Sequence, residues 1–241
     1  MKLHLICLRT VRYSDSRAIL TAYSREHGRV SLSLAAGQTR GAVRLRALTM
    51  PFSLVEVETT PPPPGREVWP LRTAVPLVVT PLIHGDPSRS TQAMFLAEVL
   101  GAVVRQSAPD EALFDFLARS AAVLDRVADD AAGMFHICFL VRLAEVLGVE
   151  PDVSTYSEET CVFDLRDGVW RTAPPLHPDR LDGPEARGAW LLSRMTYANM
   201  GSYRMSRPER RRTLDLIVRY LSLHIVPLEG LKSLHVLRSL V

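Results

Sequence analysis

Hydrophobic and polar positions follow two different periods along the 241-residue chain, and the change falls near Asp86. Over the first eighty residues, apolar side chains come at every second position or in short runs. These are Leu3 to Leu8, Ala18 to Tyr23, Val30 to Leu34, and Phe52 to Val57. A two-residue period puts Val30, Leu32 and Leu34 on one face of a strand. Ser14-Asp15-Ser16 and His27-Gly28-Arg29 carry turn residues between the runs. The run from Pro61 to Pro64 lacks the donors that a strand ladder needs, so it reads as a loop or stiff spacer. Val68 to Val79 then supplies a closing strand. Five short strands in so few residues suit a closed barrel better than an open sheet with two bare edges.

After Asp86 the apolar spacing becomes three and four. Met94, Leu96, Ala97, Leu100, Val103 and Val104 share a stripe of a helix predicted over Ser88–Gln106, and Ser107-Ala108-Pro109-Asp110 stops it. Leu113, Phe114, Leu117, Val123, Leu124 and Val127 mark a second helix over Glu111–Val127. A third, from Ala131 to Leu147, is apolar nearly all round and ends at Gly148, which predicts a central core helix. Residues 150–185 interrupt this rhythm with five prolines and a hairpin pattern, in which Cys161 to Leu165 turns at Arg166-Asp167-Gly168 into Val169-Trp170-Arg171. Ser206-Arg207-Pro208-Glu209 fits a capping box that opens a further helix. Pro227 and Gly230 end that helix before a last amphipathic segment, Leu231–Val241. The pattern therefore predicts an α+β chain in two domains. Residues 1–80 form an N-terminal five-stranded OB-fold barrel. Residues 81–241 form an all-α helical domain with a small irregular hairpin insertion at 150–185.

Composition adds one strong signal. The net charge is +3, but residues 1–80 carry +6, residues 81–200 carry −8 and residues 201–241 carry +5. Two basic ends around an acidic middle suit a surface for a polyanion. Three dispersed cysteines, Cys7, Cys138 and Cys161, argue against a disulfide framework and read as small buried apolar residues. No apolar run approaches the length that spans a bilayer, and the first residues lack a signal-peptide pattern, so a cytoplasmic location is expected. Traces of catalysis are missing from the sequence. It holds no glycine-rich phosphate loop, no Gly-x-Ser-x-Gly elbow and no His-Glu-x-x-His, and its seven histidines are scattered. His136, between Phe135 and Ile137, reads as a core histidine. The chain is expected not to be an enzyme and to need no cofactor.

The barrel's arginines are the better candidate for chemistry. Arg9, Arg12, Arg17, Arg25 and Arg29 flank or lie in the early strands, and Arg40, Arg44 and Arg46 follow the loop Gly37 to Gly41. Guanidinium forks match phosphate oxygens, and a barrel groove offers a path for a nucleic-acid backbone. Arg12, Arg29, Arg40, Arg44 and Arg46 are the candidate DNA-binding set. The aromatics here are few, Tyr13, Tyr23 and Phe52, which favours backbone contact over base stacking. The plain alternative is a structural adaptor that binds proteins through its barrel and helical groove, with arginines serving only solubility.

Three segments resemble bacterial RecO, the recombination mediator protein O family of DNA repair. They are Arg12-Tyr13-Ser14-Asp15-Ser16-Arg17 through His27-Gly28-Arg29, Gly37-Gln38-Thr39-Arg40 through Pro51-Phe52, and Arg211-Arg212-Thr213-Leu214 through Leu237. The resemblance implies an OB-fold and a helical domain, binding of single- and double-stranded DNA, and strand annealing. It also implies partnership with RecR and the single-stranded-DNA-binding protein (SSB) in loading RecA, and a cytoplasmic, nucleoid-associated location. Many members of that family carry a four-cysteine zinc module in the helical domain. Residues 150–185 offer only Cys161 and His177, so no metal is expected and the hairpin reads as a degenerate remnant of that module. The SSB tail, acidic with an apolar end, requires an apolar pocket with a cationic rim. That places it against the Ser206–Leu223 helix, beside Arg207, Arg210, Arg211 and Arg219. The alternative is that this helix packs its stripe into the core and solvates its arginines.

Overall fold

The period-two runs form the strands they predict. In the computed structural model, which describes residues 1–104 and 108–240, β1 (Lys2–Arg12), β2 (Arg17–Ser24) and β3 (Gly28–Ala35) make an antiparallel meander. Next come α1 (Arg40–Leu48), β4 (Leu54–Glu58), β5 (Val68–Pro70) and β6 (Thr73–Pro76). Among the described residues the sheet has six strands in the order β5-β3-β2-β1-β4-β6. The expected single closing strand is thus split in two. β5 pairs with β3 in parallel and β6 with β4 antiparallel. Between them the Leu71 amide donates to Ser33 O at 2.9 Å and the Arg72 amide to Glu58 O at 3.0 Å. Consecutive residues therefore serve both edges of the sheet, which curls it into a barrel and leaves neither edge bare. Leu3, Leu5, Cys7, Leu20, Leu32, Leu34, Val55 and Val57 fill the interior, the alternate positions that the sequence marks.

Two compact units divide the chain, residues 1–127 with 231–240 and residues 128–230. In the first, α2 (Pro81–Gly85), α3 (Pro87–Val103), α4 (Glu111–Arg126) and α9 (Lys232–Leu240) accompany the barrel. Asp86 and Asp110 cap α3 and α4 through the amides of Arg89 and Leu113. Buried Arg89 donates to the carbonyls of Leu124 and Val127 at 3.1 and 2.7 Å, closing the end of α4. Arg25 reaches Glu111 and Asp115 on α4 and lies over the Phe114 ring, so it braces the barrel rather than facing solvent. The predicted helix end at Gln106 and the break at Ser107 lie outside the described residues.

The second unit holds α5 (Asp129–Ala132), α6 (Phe135–Val146), β7 (Val162–Asp164), β8 (Val169–Arg171), β9 (Arg180–Asp182), α7 (Pro184–Ser193) and α8 (Arg207–His224). The helix expected over Ala131–Leu147 breaks at Gly133 and resumes at Phe135, and Gly148 ends it in the left-handed conformation. The insertion hairpin forms as β7 and β8, and β9, which the sequence does not announce, joins on the other side of β7. Asp164, 1% exposed, accepts from the amides of Arg166 and Asp167 and lies 3.2 Å from Arg171 Nε. Asp179 holds Arg166 and Arg219, each at 2.7 Å, and these hydrogen bonds, Arg219's first, lower its carboxyl pKa. Trp170 stacks on Phe163 and donates from Nε1 to Ala186 O. Side-chain ion pairs and aromatic packing thus hold this insertion, with Cys161 exposed at its edge.

Candidate nucleic-acid interface

The β1–β2 hairpin builds the first part of the basic surface. Its register slips between Cys7 and Arg9, and this β-bulge turns the side chains that follow. Beyond it, Thr10 and Arg12 face the same side as their inward partners Leu20 and Ala18, while Arg9 and Val11 face outward with Thr21 and Ile19. Every residue from Arg9 to Arg17 is exposed. Arg12 folds back on the turn, donating from Nε to Ser14 O at 3.2 Å and from Nη2 to Asp15 O at 3.1 Å. Its fork is therefore engaged with the protein's own backbone.

Helix α1 is the second part. The sequence suggests a basic loop here, but Thr39 Oγ1 accepts from the Ala42 amide and starts a helix instead. Arg40 and Arg44 are one turn apart on it and both exposed. Among the described residues neither side chain has a hydrogen bond or ion pair. Arg46 points the other way and donates from Nη1 to Ala36 O at 2.8 Å and Gly37 O at 2.7 Å, tying down the loop that leads into the helix. The Ala36 amide donates in turn to Ser16 O at 2.9 Å, so this loop adjoins the hairpin turn. Arg12, Arg17, Arg40, Arg44 and Arg46 are thereby gathered at one end of the barrel. Arg29 is not among them. It pairs with Tyr23 near the far end of β2, about 17 Å from the Ala18 position on strand rise, and is half-buried.

A cleft of about 600 Å³ within the first unit extends this surface. Arg9, Met50, Pro51, Met94, Lys232 and Val236 line it. Phe52, fully buried at φ 67°, sits behind its Met50–Pro51 edge, a strained conformation for a bulky residue. Glu98 also borders the cleft, but it accepts from the amides of Ser233 at 2.8 Å and Lys232 at 3.3 Å and from the Ser233 hydroxyl. Desolvation pushes its pKa up, and these hydrogen bonds outweigh that and lower it. The acid is thus engaged as the cap of α9. Sequence reasoning passes over Lys232 because 231–240 joins the barrel's unit only in three dimensions.

In the second unit, Arg207 and Arg211 of α8 are exposed. Arg210 is half-buried and donates to Met205 O at 2.9 Å, and Arg219 pairs with Asp179 at 2.7 Å and Glu229 at 3.5 Å. Leu214, Ile217, Val218 and Leu221 of the same helix are buried. A small apolar cavity of about 50 Å³ opens between Leu140, Phe163, Leu192, Leu216, Ile217 and Tyr220. The four arginines expected as one rim thus differ: Arg207 and Arg211 are exposed without a partner among the described residues, Arg219 is exposed but ion-paired, and Arg210 is half-buried and engaged. Among the described residues no three Cys, His, Asp or Glu side chains converge as a metal site would require, and no helix is long and apolar enough to cross a membrane.

Comparison with known proteins covers nearly the whole chain. A family model described as recombination protein O N terminal matches residues 1–72, and one described as recombination protein O C terminal matches residues 84–235. A protein named DNA repair protein RecO from Phocaeicola vulgatus is 34% identical over 235 residues, covering 98% of this chain and 96% of the relative. Its namesake from Porphyromonas gingivalis is 34% identical over 238 residues, with the same two coverages. One from Bacteroides fragilis is 32% identical over 236 residues, again covering 98% and 96%.

Proposed function

Because the chain belongs to the recombination protein O family of DNA repair proteins, we propose that it acts as a non-catalytic mediator that holds single- and double-stranded DNA on the barrel and anneals complementary strands. The observation that carries this reading is the Arg40–Arg44 pair of α1, two exposed guanidinium groups without partners among the described residues, beside the basic hairpin. Annealing needs two polyanions brought together with their bases accessible. Cations that replace condensed counterions lower the repulsion between the strands, and no covalent step is required. Arg12 and Arg46 contribute differently, by fixing the turn and the loop that adjoin the exposed pair.

RecR and SSB are the proposed partners, with RecA loading as the outcome, and the cytoplasm, at the nucleoid, as the place. For the acidic SSB tail the proposed dock remains α8, with Arg207 and Arg211 as its exposed cations and the cavity at Ile217 and Tyr220 as the seat for an apolar side chain. An annealing assay with two complementary labelled oligonucleotides tests the main claim. Wild-type protein should accelerate duplex formation, and an Arg40→Ala/Arg44→Ala variant should lose most of that acceleration while remaining folded. Equal acceleration by both would remove α1 from the function.

A further inference from the structure

Resting on the reading that the barrel binds DNA, we infer that the tip of the β1–β2 hairpin is a stacking post for an unpaired nucleobase, with Tyr13 as the post. Tyr13 is 80% exposed and is the only exposed Phe, Trp or Tyr side chain among the described residues; Tyr23 and Phe52, the others of the early barrel, are fully buried. Its phenol ring has no ring contact or hydrogen bond among those residues, while its backbone is fixed. The amides of Tyr13 and Ser14 both donate to Arg17 O, at 2.9 and 3.0 Å, and the Arg12 guanidinium clasps the carbonyls of Ser14 and Asp15. A water-exposed ring on a rigid turn is pre-organised, so a ligand that covers it does not have to order the turn first.

The surroundings select the ligand. Arg9, Arg12 and Arg17 lie on the same hairpin, and the one acid there, Asp15, is 3.5 Å from Arg12 and offset by it. The exposed apolar surface at this end of the hairpin is limited to Tyr13 and Val11, far short of the roughly 800 Å² per partner that a stable protein interface buries. One flat ring among cations matches one base face next to its phosphates. In a duplex each base face is already covered by its neighbours, so the post takes unpaired bases and leaves paired ones alone. Stacking also occupies the face and not the Watson–Crick edge. A base held this way can still be read by a complementary strand, which is what annealing requires.

The full chain, with wild-type, Tyr13→Ala and Tyr13→Phe proteins, decides this by fluorescence titration. The probes are a single-stranded oligonucleotide carrying 2-aminopurine and the duplex of the same sequence. Tyr13→Ala should weaken single-strand binding about 5- to 150-fold, the usual range for one lost base–aromatic stack. It should also abolish the 2-aminopurine response and leave duplex affinity within about twofold. Tyr13→Phe should keep all three properties of the wild type. Unchanged single-strand affinity in Tyr13→Ala would overturn the post while leaving DNA binding by the barrel in place. An equal loss on single strand and duplex would overturn it too, since the contact would then not be to a base face. Wild-type protein that binds neither probe would refute the DNA reading itself.

Discussion

Arg40 and Arg44 occupy successive turns on the exposed side of α1, with no acid in the helix's first turn and no partner for either guanidinium among the described residues. Like charges at this spacing repel, and a cation in the first turn opposes the helix dipole. The arrangement is unfavourable for an isolated helix, and a bound phosphate backbone reverses its sign.

Arg40→Glu should therefore stabilise the free protein while weakening its hold on DNA. Removing the repulsion, adding a Glu–Arg pair and complementing the dipole together give about 0.5–1.5 kcal/mol. A urea midpoint that rises, with an unchanged slope, would show it. A lower midpoint would mean that Arg40 has a structural role.

His136 predicts a pH dependence. It is fully buried in α6, and burial, with Arg210 adding to it, pushes its pKa down to about 3. An unfolded histidine titrates near 6.5. Between those values the unfolded chain takes up a proton that the native state refuses, so stability falls as pH drops below about 6.5 and this contribution levels off below about 3. The loss approaches about 1.4 kcal/mol per pH unit within the window. Urea midpoints of wild type and His136→Gln, compared from pH 7.5 to 4.5, check the sign. The variant's curve should be flatter by that amount, and parallel curves would refute the assignment.

The insertion is predicted to stand on its aromatic packing. Trp170 is 3% exposed, stacks on Phe163 at 4.4 Å between ring centroids and donates to Ala186 O at 2.8 Å. Trp170→Ala should cost about 3–5 kcal/mol, the range for an aromatic deleted from a core. A strong chelator should leave the melting temperature of the wild type unchanged, and elemental analysis should find well under one zinc per chain. A chelator-sensitive transition would contradict this picture.

The parts legible in the sequence are those set by period. Alternation at Val30, Leu32 and Leu34 follows from burial alone, so the barrel can be read before any coordinates. Along α3 the helix is legible but its predicted stripe is only partly right: Leu96, Ala97 and Leu100 are buried, whereas Met94 is exposed and Phe95 and Val99, outside that stripe, are buried instead, because the helix is apolar on more than one face. Helix α1 escapes because Arg40–Leu48 has a single buried residue, Ala42, and gains its start from Thr39 rather than from an apolar stripe. β9 is three residues long and is defined by its pairing with β7. The arginine set is legible as composition but not as geometry. Nothing local tells Arg46, bound to two carbonyls ten and nine residues earlier, from Arg44, which has no such partner among the described residues, or places Arg29 at the other end of β2. Tyr13, Tyr23 and Phe52 are likewise equivalent as letters, and only the fold buries two of them.

Salt dependence of single-strand binding tests the central claim most directly. If Arg40 and Arg44 each neutralise a phosphate, log K plotted against log salt for the Arg40→Ala/Arg44→Ala protein should be shallower than the wild-type line by about 1.4, at roughly 0.7 per phosphate. The loss of affinity should be similar for every oligonucleotide sequence. A slope identical to that of the wild type would place the DNA elsewhere on the protein and contradict the assignment of this end of the barrel.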